Sequence, residues 1–161
     1  MSAIHHNEFT EQFYKVVPKG QYLRDNKIPY SEDKTEREYT LYNTKHTKLV
    51  SFRARALPGC CGVLVVYYLR PNNLKAGLLE TAEEKQLRVF EETLELIRIA
   101  AGKAKFGTLL LTQTESSIGG KTGYTPVASF VNWKTKNKVL VYQVETPEPP
   151  VEAKKGKFEG E

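Results

Sequence analysis

The stretch from Thr81 to Lys103 constrains this chain more than any other part of it. Thr81 and Glu84 stand at the spacing of a capping box, in which a hydroxyl and a carboxylate each take a free amide at a helix start. Leu87, Phe90, Leu94, Ile97 and Ala101 then recur at alternating steps of three and four, which traces one apolar stripe along a helix. Lys85, Arg88, Glu91, Glu92, Glu95 and Arg98 fill the other positions, and Gly102 and Gly107 bracket the end. A long helix that is apolar on one side only must lie on something, and the flanking segments supply it.

Those segments have the composition of strands. Residues 38–42 and 49–54 are rich in aromatic and β-branched side chains, with residues 43–47 as the turn between them. The run from Cys60 to Leu69 is almost continuously apolar, which predicts a central strand covered on both faces. Residues 108–114 form another buried strand, so the chain reads strand, helix, strand, the pattern of a parallel crossover. Residues 126–133 and 138–144 make a hairpin that turns at residues 134–137. At the front, residues 7–17 predict a short helix with Phe9 and Phe13 on one side, stopped by Pro18 and Gly20. Residues 20–36 are polar and read as a long connection. The expected fold class is α+β: a mixed or mainly antiparallel sheet of about five to six strands on one long amphipathic helix, with a short N-terminal helix.

The chain of 161 residues fits one domain, expected over residues 1–146. Residues 147–161 hold three prolines, alternating charge and one aromatic, and predict a disordered tail. Their composition matters to the charge. Of 24 basic and 19 acidic side chains, the tail holds 3 and 4, which leaves 21 and 15 in the body, a net +6. A modest excess of this kind permits a polyanionic partner without requiring one. Cys60 and Cys61 are adjacent, point to opposite faces of a strand and cannot easily bridge, so no disulfide framework exists. The first residues lack the basic and apolar regions of a signal peptide, and no apolar run is long enough to span a bilayer. A cytoplasmic location is expected, in a host cell if the source is viral, with no membrane partner.

Motif by motif, the chemistry thins out. Gly119-Gly120-Lys121-Thr122 follows a strand as a phosphate loop would, but Glu115 occupies the place of the required first glycine and Pro126 forbids the helix that should begin there. Cys60 or Cys61 with His46 as base lacks any orienting carboxylate, and the head of an apolar strand makes a cysteine a small hydrophobe. His5 and His6 have no partners at metal-ligand spacing, so neither metal nor cofactor is implied. Glu91, Glu92 and Glu95 are interleaved with arginines and read as a solvated face.

What remains is diffuse: strand aromatics, including Tyr39, Tyr67, Tyr68, Phe130 and Trp133, with cations at strand edges and turns. Bases stack on such rings while cations hold the phosphates, so the leading expectation is a non-enzymatic module for single-stranded nucleic acid. Its contacts would be Arg53, Arg55, Lys121, Trp133, Lys134, Lys136 and Lys138. Two alternatives stand beside it. One is a protein–protein adaptor or inhibitor, including one of viral origin, that uses a helix face or strand edge. The other is a small transferase or hydrolase that uses the loop from Glu115 to Gly123. The balance leans away from an enzyme.

Overall fold

The structure is a computed structural model that describes residues 2–27, 36–56, 62–72, 75, 77–114 and 125–147. In chain order its elements are α1 (Ser2–Val16), β1 (Gln21–Lys27), β2 (Arg37–Asn43), β3 (Lys48–Ala56), β4 (Val63–Pro71), α2 (Ala82–Lys103), β5 (Thr108–Thr114), β6 (Ala128–Val131) and β7 (Lys138–Glu145). The strands form one seven-stranded sheet in the order β1-β2-β3-β4-β5-β7-β6. Only the β4–β5 pair is parallel, and α2 is the connection between its two strands. The fold is thus the expected α+β arrangement with a mixed sheet, one long helix and a short first helix.

The strand count is higher than expected because β1 is polar. Its sequence QYLRDNK pairs along its whole length with β2, from Gln21↔Asn43 to Lys27↔Arg37, yet it buries only Leu23 among its described side chains. An edge strand needs backbone partners more than it needs apolar residues, so its composition looks like that of a loop. α1 likewise begins earlier than expected and buries Phe9 and Phe13.

Both helices touch each other and cover one face of the sheet. α2 begins as its sequence dictates: the Thr81 hydroxyl accepts from the Glu84 amide at 3.1 Å, and the Glu84 carboxylate accepts from the Thr81 amide at 2.8 Å. Its stripe buries Phe90, Leu94, Ile97 and Ala101, joined by Thr93, Ala100 and Gly102. Each large apolar side chain so buried contributes about 1.5–3 kcal/mol. Beneath α1 the rings of Phe9, Phe13, Tyr39 and Phe52 pack together, with Tyr39 and Phe52 stacked at 5.0 Å. The charged side of α2 is solvated as expected. Arg88 bridges Glu80 at 2.7 Å and Glu92 at 3.3 Å, and Arg98 bridges Glu95 at 2.9 Å.

The far end of α2 receives the chain where it leaves β7. Arg98 donates to the Glu145 carbonyl at 2.9 Å, and the Thr146 hydroxyl donates to the Phe106 carbonyl at 2.6 Å. Gly102 lies so close to Pro147 that a Cβ there would run into its carbonyl oxygen. Of the disordered tail expected over residues 147–161, Pro147 is described, and residues 148–161 lie outside the described residues.

Candidate functional site

The site begins with a phase slip in β4. Leu64 and Val66 face the helices and are buried, and simple alternation would bury Tyr68 next. Leu69 is buried instead, and Tyr68 is 53% exposed. The pairing with β3 shows why: Ser51 lies opposite Arg70, and Arg53 opposite Tyr67, so β4 carries one extra residue there. Tyr68 absorbs it with a φ of 56°, a left-handed conformation that costs a bulky residue roughly 1–2 kcal/mol.

A bulge bends its strand, and here it parts β4 from its parallel neighbour. The two are paired from Val63↔Thr108 to Tyr67↔Thr112 and no further, although β4 runs on to Pro71 and β5 to Thr114. Into the gap reaches the buried Gln113, whose Nε2 donates to the Leu69 carbonyl at 3.4 Å. The parted strands open a cleft of about 610 Å³ that runs from this seam onto the sheet face away from the helices. Arg55, Val65, Tyr67 and Thr112 line it from β3, β4 and β5, and Phe130, Asn132, Thr135 and Asn137 from the last hairpin. That hairpin wall is pinned by Asn132, whose side-chain oxygen accepts from the Lys134 and Thr135 amides at 2.9 and 3.2 Å.

One polar atom in the cleft stands out. The Tyr67 hydroxyl is buried and has no hydrogen-bond partner among the described residues. Leaving such a group unpaired costs about 1–3 kcal/mol, so its presence in a cleft calls for a partner from outside the fold, a water or a ligand. Glu36 is the one carboxylate lining the cleft among the described residues, and Arg55 and Arg70 are its cations. Arg53 stands just outside, bridged to Glu38 at 3.5 Å, and both Arg53 and Arg70 lie over the Tyr68 ring, 5.4 and 5.6 Å from its centre.

The residues expected from sequence to bind a ligand are thus divided. Arg55 lines the cleft and Arg53 borders it. Trp133, at 87% exposed, and Lys134, Lys136 and Lys138 project from the β6–β7 turn without lining it. Lys121, Cys60 and Cys61 lie outside the described residues, as does the whole loop from Glu115 to Gly123. His46 sits in the β2–β3 turn with its Nδ1 2.7 Å from the Tyr22 hydroxyl. Among the described residues no group of three or more His, Cys, Asp or Glu is placed to hold a metal ion, and no helix is long and apolar enough to cross a membrane. Sequence reasoning missed Glu36, Arg70 and Gln113 altogether, and it counted Tyr67 only among the strand aromatics.

No family model matches the chain, and no curated protein matches it in sequence. Its fold, by contrast, is shared with solved structures. It is similar to nourseothricin acetyltransferase, with a TM-score of 0.50 and 14% identity over 86% of this chain and 93% of that one. It is also similar to a spermidine N-acetyltransferase variant from Vibrio cholerae, with a TM-score of 0.50 and 10% identity over 81% and 72%. A GNAT family acetyltransferase from Elizabethkingia anophelis with acetyl-CoA bound matches with a TM-score of 0.50 and 12% identity over 80% and 99%. These are enzymes, which overturns the expectation of a non-enzymatic module for single-stranded nucleic acid and lends no support to a viral origin. Of the cations expected to hold nucleic acid, Arg55 lines the cleft, Arg53 is paired to Glu38, and Lys134, Lys136 and Lys138 stand on the last hairpin. The chain has a GNAT-like fold.

Proposed function

We propose that this chain is an acyltransferase, moving an acyl group from a thioester donor to an amine at the seam between β4 and β5. The observation that carries the reading is the seam itself, a gap between parallel strands with the unpartnered Tyr67 hydroxyl buried beside it.

Acetyl-CoA, bound in one of the similar structures, is the natural candidate for the donor. The residues fit it best at the reacting end. The seam is a slot between β-strands, and the residues of β4 past Tyr67 have no β5 backbone partner, the Leu69 carbonyl being met by the Gln113 side chain instead. Such a slot suits an extended chain of amides and methylenes that can pair with a strand edge. The start of α2 is less inviting to phosphate, because Thr81 and Glu84 already cap it and Glu83 adds a second carboxylate to the first turn. A bound thioester would supply an activated carbonyl carbon to the cleft.

The chain's own residues then have separable tasks. Freed β4 backbone groups beside Tyr68 would hold the acyl oxygen, where fixed dipoles in a buried slot stabilise developing charge. The Tyr67 hydroxyl would donate its proton toward the sulfur as the carbon–sulfur bond breaks. Glu36 would take the proton that the attacking nitrogen loses on forming the new carbon–nitrogen bond. Phe130 and the hairpin wall would hold the amine and keep water out.

The test is turnover with acetyl-CoA and a panel of primary amines, read as free thiol released, beside calorimetric titration with acetyl-CoA alone. Tyr67→Phe should still bind the donor, while turnover falls roughly a hundredfold. A wild-type chain that neither binds acetyl-CoA nor releases thiol with any amine would sink the proposal.

A further inference from the structure

The electrostatics of this particular cleft carry information about the acceptor. Three guanidinium groups gather at its β3–β4 wall: Arg55 and Arg70 line it, and Arg53 stands at its edge. Against them are two carboxylates, Glu36 in the lining and Glu38, which bridges Arg53. Among the described residues one positive charge is left over.

Its location is specific. Arg53 and Arg70 share one aromatic ring, that of Tyr68, at 5.4 and 5.6 Å from the centroid. Two like charges gathered on one ring repel each other, and each is drawn there by the ring's negative face. Arg53 has Glu38 to offset that repulsion, whereas Arg70 makes no ion pair among the described residues. The ring is also held in place, since the bulge that exposes Tyr68 is set by the pairing of β3 with β4. Arg70 is therefore a positioned cation, without a carboxylate partner among the described residues, at the rim of a cleft whose other lining includes Tyr67 and Phe130.

From this geometry we infer that the acceptor is a primary amine that also carries a carboxylate, and that Arg70 binds that carboxylate. The inference rests on the acyltransferase reading above. A guanidinium offers a carboxylate two parallel N–H donors, a match that an ammonium cannot give. The apolar remainder of such an acceptor would lie against the cleft's aromatic wall. A polyamine, by contrast, would bring further positive charge to a cleft that already has an excess.

The experiment compares phenylalanine with phenylalaninamide, which lacks the carboxylate, and with spermidine, all with acetyl-CoA and the full chain and with each rate referred to the free-amine fraction at the assay pH. The expected result is a kcat/KM for phenylalanine about tenfold above that for its amide, with spermidine the poorest. Arg70→Gln should erase the preference, chiefly by raising KM for phenylalanine, and Arg70→Lys should restore part of it. If the amide or spermidine is acetylated as well as phenylalanine or better, the anionic acceptor is wrong while acyl transfer stands. A preference that survives in Arg70→Gln overturns the role of Arg70. If no amine releases thiol, the acyltransferase reading fails and the acceptor class fails with it.

Discussion

The Nε2 of Gln113 lies 3.4 Å from the carbonyl oxygen of Leu69, across the gap where β4 and β5 no longer pair. An amide on one strand thus serves a backbone group that the neighbouring strand has abandoned. Gln113→Leu keeps most of the volume but removes the donor. It should cost about 1–2 kcal/mol in chemical denaturation, since a buried carbonyl loses its partner. If the seam is the reaction site, turnover should fall as well, whereas a purely structural glutamine would leave it unchanged at temperatures where the protein stays folded.

Gly102 has no room for a methyl group, because the carbonyl of Pro147 occupies the place of its Cβ. Gly102→Ala should therefore destabilise the protein by about 1–3 kcal/mol, despite the better helix propensity of alanine. Each kcal/mol lowers Tm by roughly 2–4 °C in a chain of this size. In a chain that ends at Glu145 the obstruction is gone, and the same substitution should be close to neutral against its own parent. A full penalty in the truncated chain would show that the clash lies elsewhere.

Thr81→Ala removes half of the capping box and leaves the Glu84 amide without its hydroxyl partner. The expected loss is about 1 kcal/mol in urea denaturation, with Thr81→Ser recovering most of it. Equal losses from the alanine and serine variants would assign the effect to the threonine methyl instead.

Alkaline stability should depend on Tyr14. Tyr14 is still half exposed, yet the burial of the rest of its ring, and then its hydrogen bond to Asp25 at 2.7 Å, pushes its phenol up from 10.0 to about 12. Burial raises Tyr39 further still. A phenol whose folded pKa is raised holds its proton more tightly in the native state. Its contribution is complete below pH 10.0, the unfolded value, and is lost as pH rises toward 12. Unfolding free energy should decline through that window, and Tyr14→Phe should flatten part of the decline. Ultraviolet difference spectra of the native protein should show these two phenols ionising late; a Tyr14 signal, assigned by its loss in Tyr14→Phe, that is complete by pH 10.0 would refute the assignment.

Much of the scaffold was legible because it rests on local rules. The capping box at Thr81, the stripe from Phe90 to Ala101 and the apolar β5 are each written within a few neighbouring residues. The strand–helix–strand step through α2 followed from their order. β1 was not legible, since QYLRDNK buries too little to show a period. The bulge at Tyr68 was hidden for the opposite reason: in VLVVYYLR nearly every side chain is apolar, so a slip of one residue leaves no trace in the pattern. The cleft depends on that slip and draws residues from β3, β4, β5 and the last hairpin, segments that only the sheet order brings together. Arg55 was picked out for its charge, but its neighbourhood with Tyr67 and Glu36 could be seen only in three dimensions.

The short union of β4 with β5 also has a mechanical meaning. Among the described residues, the pairing from Val63↔Thr108 to Tyr67↔Thr112 is the backbone ladder that joins a four-strand leaf, β1 to β4, to a three-strand leaf, β5 to β7. α2 spans the joint like a clasp: it packs on β3 and β4, and its far end grips the other leaf through Arg98 on Glu145 and Gly102 against Pro147. A pull that separated the leaves would first meet those few pairs and that one clasp. The interruption that opens the cleft is thus the line along which the two leaves share the least backbone.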